Sequence, residues 1–268
     1  MVTLLVLGSA TLISVLALAM FLSGLGQMGK LGLRLTAYFS QAPGLDLVLM
    51  GLILVPWAAG WWVAGWAGVA STVIGQIWAS QFWVLWHSWV WRSRRPEVGI
   101  NGYLSQRYGW WRNHLALWIT ATVLPMFFLI RAAQVLIYPF LTWLLGFKPY
   151  SHSEWINLSR HKFDGLVGHD LLWCLYCDWM TGVYSLGAEM LRNVESFWCP
   201  IRFYNDKKCE NCSLDFPDIN RAWVAADGTL TEVVNTLEST IPHDRPWAWS
   251  EPLSVSPASE PSADQPIL

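Results

Sequence analysis

Long uncharged apolar segments alternate with short charged links over the first half of this chain. Residues 4–25 carry no charge, and neither do residues 47–91. A helix that spans a bilayer needs about 20 apolar residues, so the first segment predicts one span. The second segment is about twice too long for a single crossing at about 1.5 Å per residue, and its glycines from Gly60 to Gly68 suit a tight reversal. We therefore expect a helical hairpin of two spans there.

The third apolar segment, residues 115–147, allows two arrangements. It contains Pro125, Pro139 and a single charge, Arg131. It could form one span followed by a helix at the membrane surface, or two short spans bent at the prolines and turning at Arg131. An arginine at mid-membrane is costly, whereas one at a turn can reach the headgroups, so we favour two spans. The predicted fold is a multi-pass α-helical membrane protein with about four or five spans.

The charged links between these segments predict their orientation. Residues 92–112 contain five arginines and one glutamate. Cytoplasmic loops carry an excess of Lys and Arg, so we place this link in the cytoplasm. Counting back then places Lys30 and Arg34 in the cytoplasm and the N-terminus outside. Residues 1–3 lack the positive charge of a secretory signal, so we expect the first span to be retained.

Three regions follow from this pattern. Residues 1–147 are the predicted transmembrane region. Residues 148–241 are predicted to form a small, mainly α-helical, cysteine-rich domain outside the membrane, which the favoured topology places in the cytoplasm. Residues 242–268 are rich in proline, serine and acidic residues, so we expect a disordered tail.

Two helices are predicted in the cysteine-rich region. Apolar residues recur every three or four positions from Asp170 to Trp198, as on the buried face of a helix. Thr229 and Glu232 have the spacing of a capping box, which predicts the start of a second helix.

Composition agrees with a membrane location. Hydrophobic residues make up 54% of the chain and charged residues 13%, and 20 residues are tryptophan. Tryptophans crowd between Trp57 and Trp91, as expected where amphipathic rings lie at the membrane–water boundary. The net charge of −2 does not favour a nucleic-acid partner. The expected partners are the lipid bilayer and other membrane protein subunits.

All the cysteines lie within residues 174–212, and they form the clearest candidate site. Cys174 and Cys177 make one C-x-x-C pair, Cys209 and Cys212 make another, and Cys199 lies between them. Thiolates at such spacing bind zinc or an iron–sulfur cluster. The most economical site uses Cys199, Cys209 and Cys212 with Cys177 or Cys174, and zinc is the expected metal. Disulfide or redox roles and inert thiols are the alternatives.

His87 and His114 form a second candidate site. They flank the basic link and are expected at a similar depth on the same side of the membrane. Such a pair could bind a b-type haem or a metal near the membrane surface. Because both lie at the membrane edge among tryptophans, we favour the alternative that they are interfacial histidines.

Three further histidines, His152, His161 and His169, precede the cysteine helix together with Asp164 and Asp170. We expect His169 and Asp170 to cap that helix rather than to bind metal. No nucleotide-binding loop, nucleophile elbow or H-E-x-x-H motif is present.

These features predict a non-enzymatic role, without catalytic residues, as a membrane accessory or assembly protein with a cytoplasmic zinc domain. One alternative is an electron-transfer subunit that binds haem or an iron–sulfur cluster. Another is a membrane thiol-disulfide oxidoreductase using Cys174 and Cys177. We rank it last, because apolar and acidic surroundings raise the pKa of a thiol.

Overall fold

The computed structural model describes residues 1–94, 98–147, 149–160, 163, 165–202 and 223–240. Across these residues the chain is mostly helical and shows isolated β-bridges but no β-strand. The predicted helical class is therefore confirmed. The helices are α1 Val2–Gly24, α2 Gly29–Phe39, α3 Gly44–Leu49, α4 Val55–Val90, α5 Ile100–Tyr108, α6 Trp110–Ala121, α7 Leu124–Leu136, α8 Tyr138–Leu145, α9 His152–Trp155, α10 His169–Trp198 and α11 Leu230–Thr240.

Among the described residues, three segments are long and apolar enough to cross a membrane. They are Val2–Gln27, Gly44–Val90 and Trp110–Leu145. This finding supports a helical membrane protein. The predicted number of crossings remains a prediction, because length and composition alone do not fix it.

The range given as α4 consists of two helical segments joined by a turn, at which the chain reverses direction. Ala64 and Gly65 leave the helical conformation, and Gly65 has a left-handed φ of 58°. On either side of this turn Gly60 and Gly68 approach so closely that a Cβ atom on Gly68 would overlap the carbonyl oxygen of Gly60. The reversal lies where the glycines predicted it, because only residues without side chains let two backbones come this close.

Helix α1 packs along the second arm of this hairpin, residues 66–90. The Ser71 hydroxyl donates to the Leu4 carbonyl at 2.6 Å, and a Cβ atom on Gly75 would lie 2.5 Å from the Gly8 carbonyl oxygen. The contacts step forward together along both helices, so α1 runs parallel to the second arm. Small residues form this interface, as is usual where lipid removes the hydrophobic drive for association.

A proline distorts the first arm, residues 44–63. Pro56 has no N–H, so the Leu52 carbonyl loses its donor in the helix, and residues Met50–Leu54 form a π-helix. Gln76 of the second arm donates from Nε2 to the Leu52 carbonyl at 2.8 Å, and its Oε1 accepts from Trp57 Nε1 at 2.8 Å. One side chain thus satisfies backbone and indole groups that lipid could not.

The third apolar segment differs from the favoured arrangement. Arg131 lies inside helix α7 rather than at a turn, and it is 5% exposed. Its Nη1 donates to Gln134 Oε1 at 3.0 Å, so this buried guanidinium has a hydrogen-bond partner within the protein. The predicted turn at Arg131 is therefore wrong. Pro125 and Pro139 are the second residues of α7 and α8, where the missing N–H costs no helical bond.

The chain divides into two compact units. The first contains residues 1–130 and 151–186, and the second contains residues 131–150 and 187–268. The boundaries predicted for the cysteine-rich domain and the tail remain predictions, and residues 241–268 lie outside the described residues.

Each unit has its own buried contacts. In the first, Trp179 and Val183 are buried on α10, and the Phe128 ring lies 5.0 Å from the Trp179 ring. In the second, the Phe147 and Phe197 rings lie 5.7 Å apart. The apolar stripe predicted for α10 therefore is its buried face.

The predicted capping box also forms in the second unit. The Glu232 N–H donates to Thr229 Oγ1 at 3.4 Å, and Glu232 Oε2 accepts from the Thr229 N–H. Helix α11 begins at Leu230, as this pattern predicted.

Candidate functional site

The first half of α10, within the first compact unit, contains several of the candidate site residues that the structure describes. A short extended segment before α10 packs directly on it. A Cβ atom on Gly182 would lie 2.5 Å from the Trp155 carbonyl oxygen, and Ile156 is fully buried. Gly182 therefore allows the segment of residues 155–160 to lie against the helix backbone.

Asp178 fixes this segment to the helix. Its Oδ2 accepts hydrogen bonds from the backbone N–H groups of Ser159 and Arg160, both at 2.8 Å. Its Oδ1 lies 3.2 Å from Arg160 Nε, and the carboxylate is nearly buried. A buried carboxylate needs such partners. Asp178 therefore holds Arg160, in the preceding segment, against the side of α10.

Arg160 lies beside the C-x-x-C pair. Its guanidinium lies near the Cys177 sulfur, and interaction with this group raises the pKa of Arg160. Burial raises the pKa of the Cys174 thiol, and the positive charge of Arg160 opposes that change. The Cys177 sulfur is also 3.9 Å from Thr181 Oγ1. The thiols therefore face a cation as well as the apolar and acidic neighbours that the sequence indicated.

The sequence reasoning did not include Arg160. This residue lies outside the cysteine region, and no spacing pattern connects it to Cys177. Only the fold of residues 155–160 onto α10 brings the two together.

The predicted metal ligands are only partly described. Cys174 and Cys177 are free thiols in the first unit, and Cys199 is a free, exposed thiol in the second unit. Cys209 and Cys212 lie outside the described residues. Within the described part of the chain, no three His, Cys, Asp or Glu side chains are grouped so as to hold a metal. The four-cysteine site therefore stays a prediction.

His87 and His114 have different hydrogen-bonding roles. Nδ1 of His87 accepts from the Gly168 N–H at 3.2 Å, so the neutral ring carries its proton on Nε2. Nδ1 of His114 lies 2.9 Å from the Trp110 carbonyl and must donate to it, which leaves a lone pair on Nε2. A haem ligand that binds through Nε2 needs this second tautomer. The haem hypothesis stays a prediction, and His114 suits it better than His87.

His114 faces His169 at the start of α10. The two ring centroids are 5.3 Å apart. Nε2 of His169 accepts from Trp173 Nε1 at 3.0 Å, and its buried Nδ1 has no hydrogen-bond partner among the described residues. Burial lowers the pKa of His169, and the nearby His114 lowers it further, while Asp170 opposes both. The neutral ring is therefore favoured.

Asp170 does not cap its own helix, which corrects the expectation from the sequence. Its Oδ2 and Oδ1 accept from the backbone N–H groups of Ile100 and Asn101 at 2.9 and 2.8 Å. The carboxylate therefore caps helix α5, where a negative charge favours the exposed amides. Gly99 is required beside it, because a Cβ atom there would overlap the carboxylate.

The remaining histidines add no ligand set. His152 begins helix α9, while His161 and Asp164 lie outside the described residues.

Comparison of the chain with protein-family models, with curated proteins and with solved structures found no match.

Proposed function

We propose that this chain is a multi-pass membrane accessory or assembly protein, whose cysteines bind a structural metal ion at the cytoplasmic membrane surface. The observation that carries the proposal is the pair of free thiols Cys174 and Cys177, which the helix presents one turn apart beside Arg160. Thiolates that bind Zn²⁺ leave a net negative site, which a neighbouring guanidinium stabilises.

The spacing of aromatic residues along the hairpin supports a full membrane crossing. Trp62 and Trp66 at the turn are 90% and 75% exposed, and Trp89 near the other end is also exposed. From residue 66 to residue 89 a helix rises about 35 Å, close to a hydrocarbon thickness of about 30 Å. Tryptophans at both ends of such a helix match the two interfacial belts of a membrane protein.

The contacts of the two arms identify one end of the hairpin. Trp57 of the first arm bonds to Gln76 of the second. Asp46 and His87 lie equally far along the chain from this pair, on the side away from the turn. We call this end, with Asp46 and His87, the hairpin base. It adjoins the basic link of residues 92–112, so the positive-inside rule favours the cytoplasm for it.

Helix α10 contacts both arms at this base. The Gly168 N–H, just before the helix, donates to His87 on the second arm. Trp179 Nε1 lies 3.5 Å from Asp46 Oδ1 on the first arm. These two contacts support a cytoplasmic position for Cys174, which lies between them in sequence, whatever the path of the third apolar segment.

The metal content of the purified full-length protein in detergent tests the proposal. We expect close to one zinc ion per chain, lost in Cys209→Ser and Cys212→Ser. Glu189→Gln is a control that leaves every thiol in place. A chelator should make residues 148–241 protease-sensitive while the hairpin stays intact. Protein without near-stoichiometric zinc or iron would reject the metal site.

A second candidate is thiol–disulfide exchange, which the contact of Arg160 with Cys177 favours because a cation stabilises a thiolate. The Cys177 thiolate would attack one sulfur of a disulfide substrate and release the other sulfur as a thiolate. Cys174 would then attack the mixed disulfide, release the second thiol and leave a Cys174–Cys177 disulfide. Peptide mass spectrometry after treatment with oxidised glutathione detects this bridge.

A visible absorption spectrum separates a colourless zinc protein from the haem and iron–sulfur alternatives.

A further inference from the structure

Helix α6 begins an apolar segment that is long enough to cross a membrane, yet its contacts follow α10. Three ring contacts join the two segments in the same order along both: His114 with His169 at 5.3 Å, Trp118 with Trp173 at 5.8 Å, and Phe128 with Trp179 at 5.0 Å. Tyr176 also donates to the Thr120 carbonyl at 3.4 Å. The two segments therefore run side by side in the same direction.

Helix α10 lies across the hairpin rather than along it. Its contacts with His87 and Asp46 are both at the hairpin base, so they lie at one level along the arms. From Gly168 to Trp179 a helix rises about 16 Å. A helix parallel to the arms would carry Trp179 that far from the level of His87, beyond reach of Asp46. Because α6 follows α10, α6 also lies across the hairpin base.

The exposed side chains between residues 92 and 129 combine positive charge with apolar groups. Arg92, Arg107 and Arg112 are exposed, and no carboxylate among the described residues pairs with them. The Arg112 guanidinium lies 5.9 Å from the centroid of the Trp111 ring. Exposed apolar residues line the same segment, namely Trp110, Trp111, Leu115, Ile119, Met126 and Leu129.

Among the described residues, the carboxylate held against this segment is that of Asp170, and it is already occupied. Both oxygens of Asp170 accept from backbone N–H groups of α5, so they are not available to the arginines. Asn113 further ties α6 to α5, since its Nδ2 donates to Asn101 Oδ1 at 2.7 Å. Asp170 and Asn113 are therefore satisfied within the protein, whereas the guanidiniums remain available to an external anion.

We propose that α5, α6 and the first half of α7 do not cross the bilayer but lie on its cytoplasmic surface, where Arg92, Arg107 and Arg112 bind anionic phospholipid headgroups. The hairpin base holds these helices at the membrane surface, the charge of their exposed arginines complements anionic lipid, and their exposed tryptophans suit the interface. The proposal depends on the topology given under Proposed function, but not on the metal site.

Native mass spectrometry of the full-length protein tests the lipid site, with phosphatidylglycerol and phosphatidylcholine as the probes. We expect phosphatidylglycerol to bind more tightly. Each arginine near an anionic surface contributes about a 5-fold effect, so Arg107→Gln with Arg112→Gln should weaken this binding about 25-fold. Arg192→Gln is the control, because Arg192 pairs with Glu189 in the second unit. Equal binding of the two lipids by the wild-type protein would overturn the proposal.

Inorganic phosphate separates a lipid site from a site for a free anion. We expect millimolar phosphate to leave the preference for phosphatidylglycerol unchanged beyond the general effect of ionic strength, which potassium chloride measures. Displacement by phosphate, but not by chloride at the same ionic strength, would assign the arginines to a soluble phosphate and contradict a lipid surface.

Accessibility to a membrane-impermeant maleimide tests the path of α6. Ser105→Cys and Thr122→Cys are introduced singly into the wild-type chain, and labelling of each site is measured by peptide mass spectrometry. Both should label from the cytoplasmic side. Labelling of Ser105→Cys alone would mean that α6 enters the membrane, which overturns this inference only. Labelling of Ser105→Cys from outside would overturn the proposed topology itself.

Discussion

Two regions of the molecule are each stabilised by a different kind of contact. One is the hairpin with α1, and the other is the base layer, formed by α5, α6, the first half of α10 and residues 155–160. The helices of the hairpin meet through glycines and small hydroxyl residues, with Gln76 joining the two arms. The base layer instead uses two carboxylates, Asp170 and Asp178, each of which accepts two backbone N–H groups from a distant segment. Close backbone packing suits helices in lipid, while ionic caps need an environment that tolerates charge.

The largest effect should come from closing the gap between the two arms. Gly68→Ala places a Cβ atom against the Gly60 carbonyl, and forcing the arms apart should cost about 3 kcal/mol in the free energy of unfolding. Thermal unfolding of the detergent-solubilised protein measures this. Gly24→Ala is the matched control, because a Cβ atom there meets nothing within 4 Å. Equal stability of the two variants would contradict close packing at the hairpin turn.

Removing the buried carboxylate of α10 should have the next largest effect. Asp178→Ala leaves the N–H groups of Ser159 and Arg160 without their acceptor and should cost about 2 kcal/mol. Limited proteolysis should then cut near residues 155–160, while the hairpin remains resistant. Glu189→Gln removes a carboxylate from a pair within one helix and should cost no more than about 0.5 kcal/mol. An unchanged cleavage pattern in Asp178→Ala would argue against this anchor.

Removing the second carboxylate, that of Asp170, should lower the free energy of unfolding by less. Asp170→Ala removes the cap of α5, which should cost about 1 kcal/mol and loosen residues 98–108. Hydrogen exchange measures the change at the amides of Ile100 and Asn101. Protection that stays at the wild-type level would show that α5 does not depend on this cap.

The smallest effect concerns the polar contact inside the hairpin. Gln76→Leu leaves the Leu52 carbonyl and the Trp57 indole without this partner, yet single polar contacts between membrane helices contribute only about 0.6 kcal/mol. Thermal unfolding in detergent, with Ser80→Ala as the control, should resolve this difference. Ser80 donates only to a carbonyl of its own helix. A loss larger than that of Asp178→Ala would reverse the proposed contrast between the two regions.

Local patterns in the sequence predicted much of the fold. Uncharged stretches of the right length identified the apolar helices, and the glycines between Gly60 and Gly68 identified the reversal. The apolar stripe of α10 and the capping box at Thr229 were equally readable. Each of these signals arises from neighbours along one helix or one turn, so no distant partner is needed to interpret it.

Only the tertiary structure decided what these elements pack against. Periodicity shows which face of a helix is buried, but not its partner, so neither the placement of Arg160 beside Cys177 nor the cap that Asp170 provides for α5 could be predicted. The same limit explains Arg131, whose predicted turn assumed contact with headgroups, whereas it lies buried in α7 and hydrogen bonds to Gln134. A charge or carboxylate is stabilised by whichever group the fold brings within about 3 Å, and that group need not be near it in sequence.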